Sequence, residues 1–138
     1  LGLAEMKKFC AEAGIERGAV LMEEGSGLSR GCLLKPAASI QLLKYMHQHR
    51  YADDYYDSLP IAGVDGTLKS RFKKSAAENN LRAKTGSLRY VNALSGYVTT
   101  KAGEHLVFSI MSNAYNGDGR GQTDAIGAML AELAVKTE

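Results

Sequence analysis

Apolar residues recur at intervals of three and four along the first fifty positions, which predicts two amphipathic helices. The first helix should end at Gly14, and the second should begin near Pro36 and continue to about Arg50. Between them, the apolar run after Gly18 predicts a short strand that leads into a Gly/Ser loop. The periodic positions are Leu3, Met6, Phe9, Cys10 and Ala13 in the first helix, and Ile40, Leu43, Met46 and His47 in the second.

Residues 51–75 contain turn signals at Pro60, Gly63 and Asp65-Gly66. They predict a short helix followed by a long ordered loop. Loops of this length in compact proteins are commonly either functional or disordered.

From Leu81 onward the pattern changes to β-branched and apolar runs, which predict three strands, over residues 81–89, 92–100 and 105–113. A hairpin turn at 101–104 makes the last two antiparallel. An Ala/Leu-rich helix over residues 123–135 follows, with Thr123 or Gln122 near its expected N-cap. The order of elements predicts an α+β fold, in which helices pack on the faces of an antiparallel sheet.

Composition changes this picture little. The chain has 138 residues, about one domain by length, and a domain of that size needs neither a disulfide nor a metal to fold. A net charge of +2 without a dense Lys/Arg stripe gives no reason to expect nucleic-acid binding. Because the chain starts at Leu1 without a Met, we expect a fragment or a processed chain, and the lack of a signal peptide or membrane span carries no information about location.

Cys10 and Cys32 lack metal-ligand spacing, so no zinc site is predicted. We expect two free thiols, although the sequence leaves open a disulfide between them in an oxidising compartment. His47, His49 and His105 are dispersed, which favours surface or helix-end roles over metal binding or catalysis.

The segment Lys84-Thr85-Gly86-Ser87 has a composition suited to an anionic, extended peptide bound along a strand edge. Thr85 and Ser87 point to one face of the predicted strand, where both hydroxyls can donate to a carboxylate, whereas Lys84 points to the other face and must act from the rim or through a twist. Gly86 leaves room for a ligand to approach the backbone. Taken alone, the triplet is better explained as the start of an ordinary strand.

Three segments together, "EEGSGLSR", "AGVDGTLKSRF" and "RAKTGSLRYVNALSGYVTT", resemble the C-terminal part of the D-alanyl-D-alanine carboxypeptidases/endopeptidases of the class C low-molecular-mass penicillin-binding proteins. The similarity runs from about Val20 to the end of the chain. It implies that residues 1–138 are a partial β-lactamase/transpeptidase-like domain, without metal or cofactor. It also implies a periplasmic or other extracytoplasmic location, peptidoglycan peptides ending in D-Ala-D-Ala as substrates, and β-lactam antibiotics as ligands.

The resemblance further implies roles for individual residues. Lys84 would supply positive charge at the catalytic centre, and Thr85 and Ser87 would bind the terminal carboxylate beside Gly86. The backbone N–H of Ser87 would be one of two oxyanion-hole donors, the second coming from the nucleophile itself.

Two motifs of the family are missing, a Ser-x-x-Lys at a helix start and a Ser-x-Asn on a loop. Ser70-Arg71-Phe72-Lys73 matches the first literally but falls within the predicted loop, and Tyr90-Val91-Asn92 matches a Tyr-x-Asn variant but falls in the predicted strand and turn. We therefore expect the nucleophile to lie outside this chain, in an absent N-terminal portion of the same protein.

In the glycine-rich motif, Glu24 stands where the family usually has Asp, which leaves its role open. We expect Ser26, Ser29 and Arg30 to be structural, with direct contact to the active site as the alternative.

Three alternatives remain at this stage. The chain resembles a piece of an enzyme, but a non-catalytic peptidoglycan-binding or interaction module would keep the same strand, and a β-lactamase would share the chemistry. If the sheet lacks its other strands, its exposed edge invites either the missing N-terminal portion or self-association.

Overall fold

The computed structural model describes residues 1–135, which form two compact units, Leu1–Ala52 and the chain from Asp53 onward. The first unit contains helix α1 (Gly2–Glu12), strands β1 (Val20–Leu21) and β2 (Leu33–Leu34), and helix α2 (Pro36–His47). Both predicted helices and the first strand are confirmed, and α2 ends three residues before the expected Arg50. The second strand was not predicted, because two residues are too few to show a period.

Within this unit, α2 is tied to the end of α1. Gly14 has a φ of +72°, the left-handed conformation that ends many helices and that glycine adopts without strain. The side-chain Nε2 of Gln41 on α2 donates to the Ala13 carbonyl at 2.9 Å. This bond satisfies one of the carbonyls left without a partner at the end of α1.

The second unit is built on an antiparallel sheet in the order β3-β4-β5. Its elements are helix α3 (Ala52–Asp57), a 3₁₀ turn (Gly66–Leu68), β3 (Arg82–Leu88), β4 (Val91–Thr99), β5 (His105–Asn113) and α4 (Gly119–Glu132). The three predicted strands are confirmed to within one residue at each end.

The start of α4 differs from the prediction. Asp118 is the N-cap, and its carboxylate accepts a hydrogen bond from the N–H of Gly121 at 2.8 Å. Thr123 lies inside the helix, 1% exposed, with its hydroxyl donating to the Arg120 carbonyl. The predicted start of this helix near Thr123 or Gln122 is therefore wrong, because the glycines of residues 117–121 have low helix propensity and were assigned to a loop.

Helices cover parts of both faces of this sheet. On one face α4 packs through Ala131 on a core that includes Leu94 and Val98 of β4. On the other face, the rings of Tyr56 in α3 and Tyr97 in β4 lie 5.5 Å apart. This arrangement confirms the α+β prediction. The buried core consists of Ala62, Leu68, Phe72, Ala77, Leu81, Ala83, Leu94, Val98, Phe108 and Ala131.

The connection between α3 and β3 is long and ordered, as predicted. Its backbone is held by hydrogen bonds from Ala62 N to Leu81 O at 2.9 Å and from Asn79 N to Ala62 O at 2.8 Å. Arg71, which is 9% exposed, forms a bidentate ion pair with Asp124 on α4, and this pair fixes the loop to the helix.

In the part of the chain that the structure describes, no helix has the length and apolar character needed to cross a membrane. The same residues contain no group of His, Cys, Asp and Glu side chains that would hold a metal ion.

Candidate active site

The residues predicted to bind substrate lie on β3, an edge strand of the three-stranded sheet. A two-residue turn, Arg89-Tyr90, connects β3 to β4 and fixes the register between them. The pairs are Lys84 with Ser95, Thr85 with Leu94, Gly86 with Ala93 and Ser87 with Asn92.

Hydrogen bonds at the start of β3 define which backbone groups face its open edge. The N–H of Ala83 donates to the Pro60 carbonyl at 3.1 Å, and the Leu81 carbonyl accepts from Ala62, both on the side away from β4. Because alternate residues of a strand direct their backbone groups to the same side, Thr85 and Ser87 present their N–H and C=O groups to this edge as well. The β3 edge is therefore available for an added strand beyond residue 83.

The Lys84 side chain reaches the same edge, although it starts from the opposite face of the strand to Thr85 and Ser87. Its Nζ donates to the carbonyl of Thr85 at 2.6 Å. Lys84 is exposed and carries no ion pair among the described residues. The geometry therefore agrees with action from the rim of the strand and brings the ammonium close to Thr85.

The two hydroxyl residues have different surroundings. Thr85 is half-buried, and its Oγ1 donates to Oγ1 of Thr67, in the 3₁₀ turn, at 3.0 Å. Ser87 is exposed and lines a polar cavity of about 330 Å³ together with Asn92 and Arg120. Asn92 is 2% exposed, and its Oδ1 has no hydrogen-bond partner among residues 1–135.

Sequence reasoning included "AGVDGTL" among the family-like segments but assigned no contact to Thr67. The sequence does show that this segment contains a hydroxyl residue. It does not show that this hydroxyl contacts Thr85, because residues 67 and 85 are separated by a loop whose path the sequence does not specify.

Gly86 is exposed on β3, and a Cβ built there would meet only Ala93 Cβ, at 3.5 Å. This is an ordinary van der Waals contact, so the sheet itself tolerates a side chain at this position. The absence of a side chain is therefore not required for packing against β4.

Ser70 and Lys73 do not form a nucleophile and base pair at a helix start. Both lie in turns, and Phe72 between them has a φ of +61°. Lys73 donates through Nζ to the Gly63 carbonyl and pairs with Glu78 at 3.4 Å. Its ammonium has a structural role in holding this loop.

Tyr90 and Asn92 are likewise turn and strand residues, as expected. Tyr90 occupies the hairpin turn with a φ of +63°, and Asn92 belongs to β4.

In the first unit, Glu24 closes the glycine-rich loop. Its carboxylate accepts hydrogen bonds from the backbone N–H groups of Ser26, of Leu28 at 3.0 Å and of Ser29 at 2.9 Å. Hydrogen bonding to Ser26, and then to Ser29 and Leu28, lowers the pKa of Glu24 to about 2. The hydroxyl of Ser29 donates to Glu23 at 2.6 Å. Glu24, Ser26 and Ser29 therefore form a self-contained loop scaffold, which supports the structural interpretation of this motif.

Cys10 and Cys32 are free thiols, and each is half-buried. Cys32 Sγ lies beside the same loop, where it accepts from the N–H of Glu23 at 3.4 Å.

A family model described as the D-Ala-D-Ala carboxypeptidase 3 (S13) family matches residues 1–133. Among curated proteins, a D-alanyl-D-alanine carboxypeptidase from Actinomadura sp. (strain R39) is 38% identical over 139 residues, which cover 96% of this chain and 26% of that protein. The chain thus spans about a quarter of the length of the curated relatives it matches.

Solved structures give the same relationship. Penicillin binding protein 4 (dacB) from Haemophilus influenzae matches with a TM-score of 0.78 and 34% identity, over 84% of this chain and 26% of that one. A structure of the same protein complexed with a novel β-lactam matches with a TM-score of 0.81 and 32% identity, over 94% of this chain and 32% of that one.

Proposed function

Because the chain belongs to the D-Ala-D-Ala carboxypeptidase 3 (S13) family, we propose that the complete protein is a serine D-Ala-D-Ala carboxypeptidase/endopeptidase acting on peptidoglycan stem peptides outside the cytoplasm. The names of the relatives support the substrate class, and the β-lactam complex of one of them supports β-lactams as ligands. The residues described here contribute the substrate-binding and oxyanion strand. The nucleophile and its base belong to the part of the protein that this chain does not cover.

The observation that carries this proposal is the open edge of β3. Thr85 and Ser87 direct their backbone groups outward there, and the Lys84 ammonium lies beside Thr85. An extended peptide can add to such an edge as another antiparallel strand, bound through main-chain hydrogen bonds. The hydroxyls of Thr85 and Ser87 and the charge of Lys84 then select a peptide that ends in a carboxylate.

In the proposed reaction, the serine hydroxyl gives its proton to the base and attacks the carbonyl of the penultimate D-Ala, forming a tetrahedral oxyanion. The N–H of Ser87 donates to that oxyanion together with the N–H of the serine. The bond to the terminal D-Ala breaks, its amine takes a proton, and the acyl-enzyme remains. Water then hydrolyses the ester and frees the serine. Removing one oxyanion donor from such a site lowers turnover by roughly 10²–10³-fold.

The test is acylation of the complete protein by a fluorescent penicillin, with the labelled serine located by mass spectrometry. We expect a single labelled serine outside this chain, and release of D-Ala from a peptide ending in D-Ala-D-Ala. Replacing Lys84 by Ala should slow acylation by roughly 10²-fold, because the ammonium would stabilise the negative charge that develops in the transition state.

The matched control is Lys101→Ala, which removes an exposed lysine paired with Glu132 on the surface and should leave acylation unchanged. Absence of any acylation, with peptidoglycan binding retained, would instead favour the non-catalytic binding module. Normal acylation of the Lys84→Ala protein would contradict the role assigned to this side chain.

A further inference from the structure

We infer that Thr67 is a positioning residue for carboxylate recognition, which acts by holding the hydroxyl of Thr85 in place for the substrate. This inference rests on the proposed function and deepens it, since it adds to the carboxylate site a residue that lies outside the Lys-Thr-Gly strand. The starting observation is the 3.0 Å hydrogen bond between Oγ1 of Thr85 and Oγ1 of Thr67.

The turn that carries Thr67 is anchored at several points. A carboxylate oxygen of Asp65 accepts from the N–H of Ile61 at 2.7 Å, and the N–H of Gly63 donates to the Leu68 carbonyl at 3.0 Å. The Leu68 side chain, directly after Thr67, is fully buried in the core. The position of Thr67 is therefore fixed by its neighbours on both sides and does not depend on the bond to Thr85.

The same segment is attached to the start of β3. Ile61 forms an isolated antiparallel bridge with Arg82, and Pro60 accepts a hydrogen bond from Ala83. Gly66 has a φ of +50°, and a Cβ there would come within 3.1 Å of the Pro60 ring, so glycine permits the turn to close against this segment. The turn and the strand thus form one framework across which the two hydroxyls meet.

The chemistry of a hydroxyl pair explains why this contact would serve binding. A threonine hydroxyl has one proton and two lone pairs, and it rotates to suit its partners. In the structure Thr85 donates its proton to Thr67. A carboxylate has no proton to give, so on binding Thr85 must donate to the carboxylate instead. Thr67 can then turn and donate to Thr85, so that the side chain of Thr85 keeps its rotamer and its hydrogen bond.

A purely structural staple between the turn and the strand would use the same bond, and the two roles differ in what they affect. A staple supports the whole strand, so its loss would slow every reaction at this site equally. A carboxylate-positioning residue affects only ligands that carry the carboxylate. The comparison therefore needs two ligands with the same scissile bond and different charge.

The experiment measures second-order acylation rate constants of the complete protein with benzylpenicillin and with its methyl ester. For Thr67→Val, which keeps the shape and removes the hydroxyl, we expect a loss of roughly 3- to 10-fold with benzylpenicillin, the range of one hydrogen bond, and less than about 2-fold with the ester. Thr67→Ser keeps the hydroxyl and should restore most of the rate. Thr99→Val serves as the control, because it removes a similar exposed hydroxyl bond, to His105 at 3.0 Å, from the other end of β4.

Equal losses with both ligands, no loss with either, or failure of Thr67→Ser to restore the rate would each overturn the inference. Thermal unfolding of each variant shows whether it is folded. If Thr67→Val folds poorly, the comparison of the two ligands is made with Thr67→Ser. A wild-type protein that no penicillin acylates would overturn the proposed function together with this inference. An acylated wild-type protein with equal losses in Thr67→Val would overturn the inference alone.

Discussion

Glu24 accepts hydrogen bonds from backbone N–H groups of the loop that follows it, and these bonds stabilise its ionised form, with the pKa lowered to about 2. The side chain reaches the backbone N–H groups of Leu28 and Ser29, four and five residues further along the chain. The loop therefore depends on the charge and the reach of this carboxylate.

This carboxylate predicts a specific pH dependence. The pKa of Glu24 is lower in the folded than in the unfolded protein, so its ionised carboxylate stabilises the fold at pH values above the unfolded pKa. This stabilisation is lost as the pH falls through about 2. Titration of the Glu24 carboxyl by carbon NMR should show a midpoint near pH 2. Glu24→Gln should speed amide hydrogen exchange at Ser26, Leu28 and Ser29, because an amide is a weaker acceptor than a carboxylate.

The matched control is Glu24→Asp, which keeps the charge and should retain more of the exchange protection than Gln does. An ordinary midpoint for Glu24, or unchanged exchange in Glu24→Gln, would show that the loop does not depend on this carboxylate.

At the scale of single residues, the sequence could predict what a side chain offers but not what it meets. The positions of Lys84, Thr85 and Ser87 on alternate faces follow from the two-residue period of a strand. The contact of Thr85 with Thr67 and the burial of Asn92 depend on the path of a long loop and on the start of α4. Neither has a periodic signal.

Among the elements, the paired strands β3 and β4 each contain a glycine, and the two glycines have different neighbours. A Cβ at Gly96 on β4 would lie 2.0 Å from the Arg82 carbonyl and 2.6 Å from Ala83 Cα, both backbone atoms of β3. A Cβ at Gly86 would make only an ordinary contact. Gly96 is thus required for the pairing of β3 with β4. Gly86 is not required for this pairing, and its missing side chain instead leaves room for a ligand to approach the strand.

This contrast predicts opposite behaviour for two alanine variants of the complete protein. Gly96→Ala should lower the free energy of unfolding by about 1–3 kcal/mol, because β3 must shift to accept the methyl group, and should also slow acylation. Gly86→Ala should change stability by less than about 1 kcal/mol while slowing acylation by penicillin. Denaturant unfolding and acylation rates measure the two effects separately.

Each glycine variant is the control for the other. A Gly86→Ala protein as unstable as Gly96→Ala would assign Gly86 a packing role instead of a role in ligand approach.

The elements themselves were predictable where a period repeats over several residues, as in α1, α2 and the three strands of the sheet. Prediction failed where a local contact overrides propensity. The first turn of α4 contains Gly119 and Gly121, poor helix formers, yet Asp118 caps it through the N–H of Gly121. Strand β2 exists because it pairs with β1, Val20 with Leu34 and Leu21 with Leu33, and two residues give no periodic signal.

At the scale of the whole molecule, the chain carries the proposed substrate-binding strand without a recognisable nucleophile. We predict that the isolated chain is not labelled by a fluorescent penicillin, because Ser70 lies in a turn and Lys73 is engaged with Gly63 and Glu78. Gel fluorescence followed by peptide mass mapping measures this directly. Covalent labelling at Ser70, or at any serine of the isolated chain, would contradict the placement of the nucleophile elsewhere.

The same sheet has open edges, on β3 beyond Ala83 and, among the described residues, on the outer side of β5. Unpaired strand edges promote pairing with other chains. The isolated chain should therefore elute from size-exclusion chromatography as an oligomer, with the apparent mass rising with concentration. A stable monomer across the concentration range would show that these edges are protected.

The register of the sheet also bears on how the sheet folds. Its pairings join residues close in sequence, from Arg82 with Tyr97 to Val91 with Asn113, through turns of only a few residues. Because these pairings are local, closing each loop costs little conformational entropy. Folding is faster when contacting residues are close together in the sequence. The β3-β4-β5 meander can therefore form early as a cooperative folding unit, so that the proposed substrate strand has its conformation from an early stage of folding.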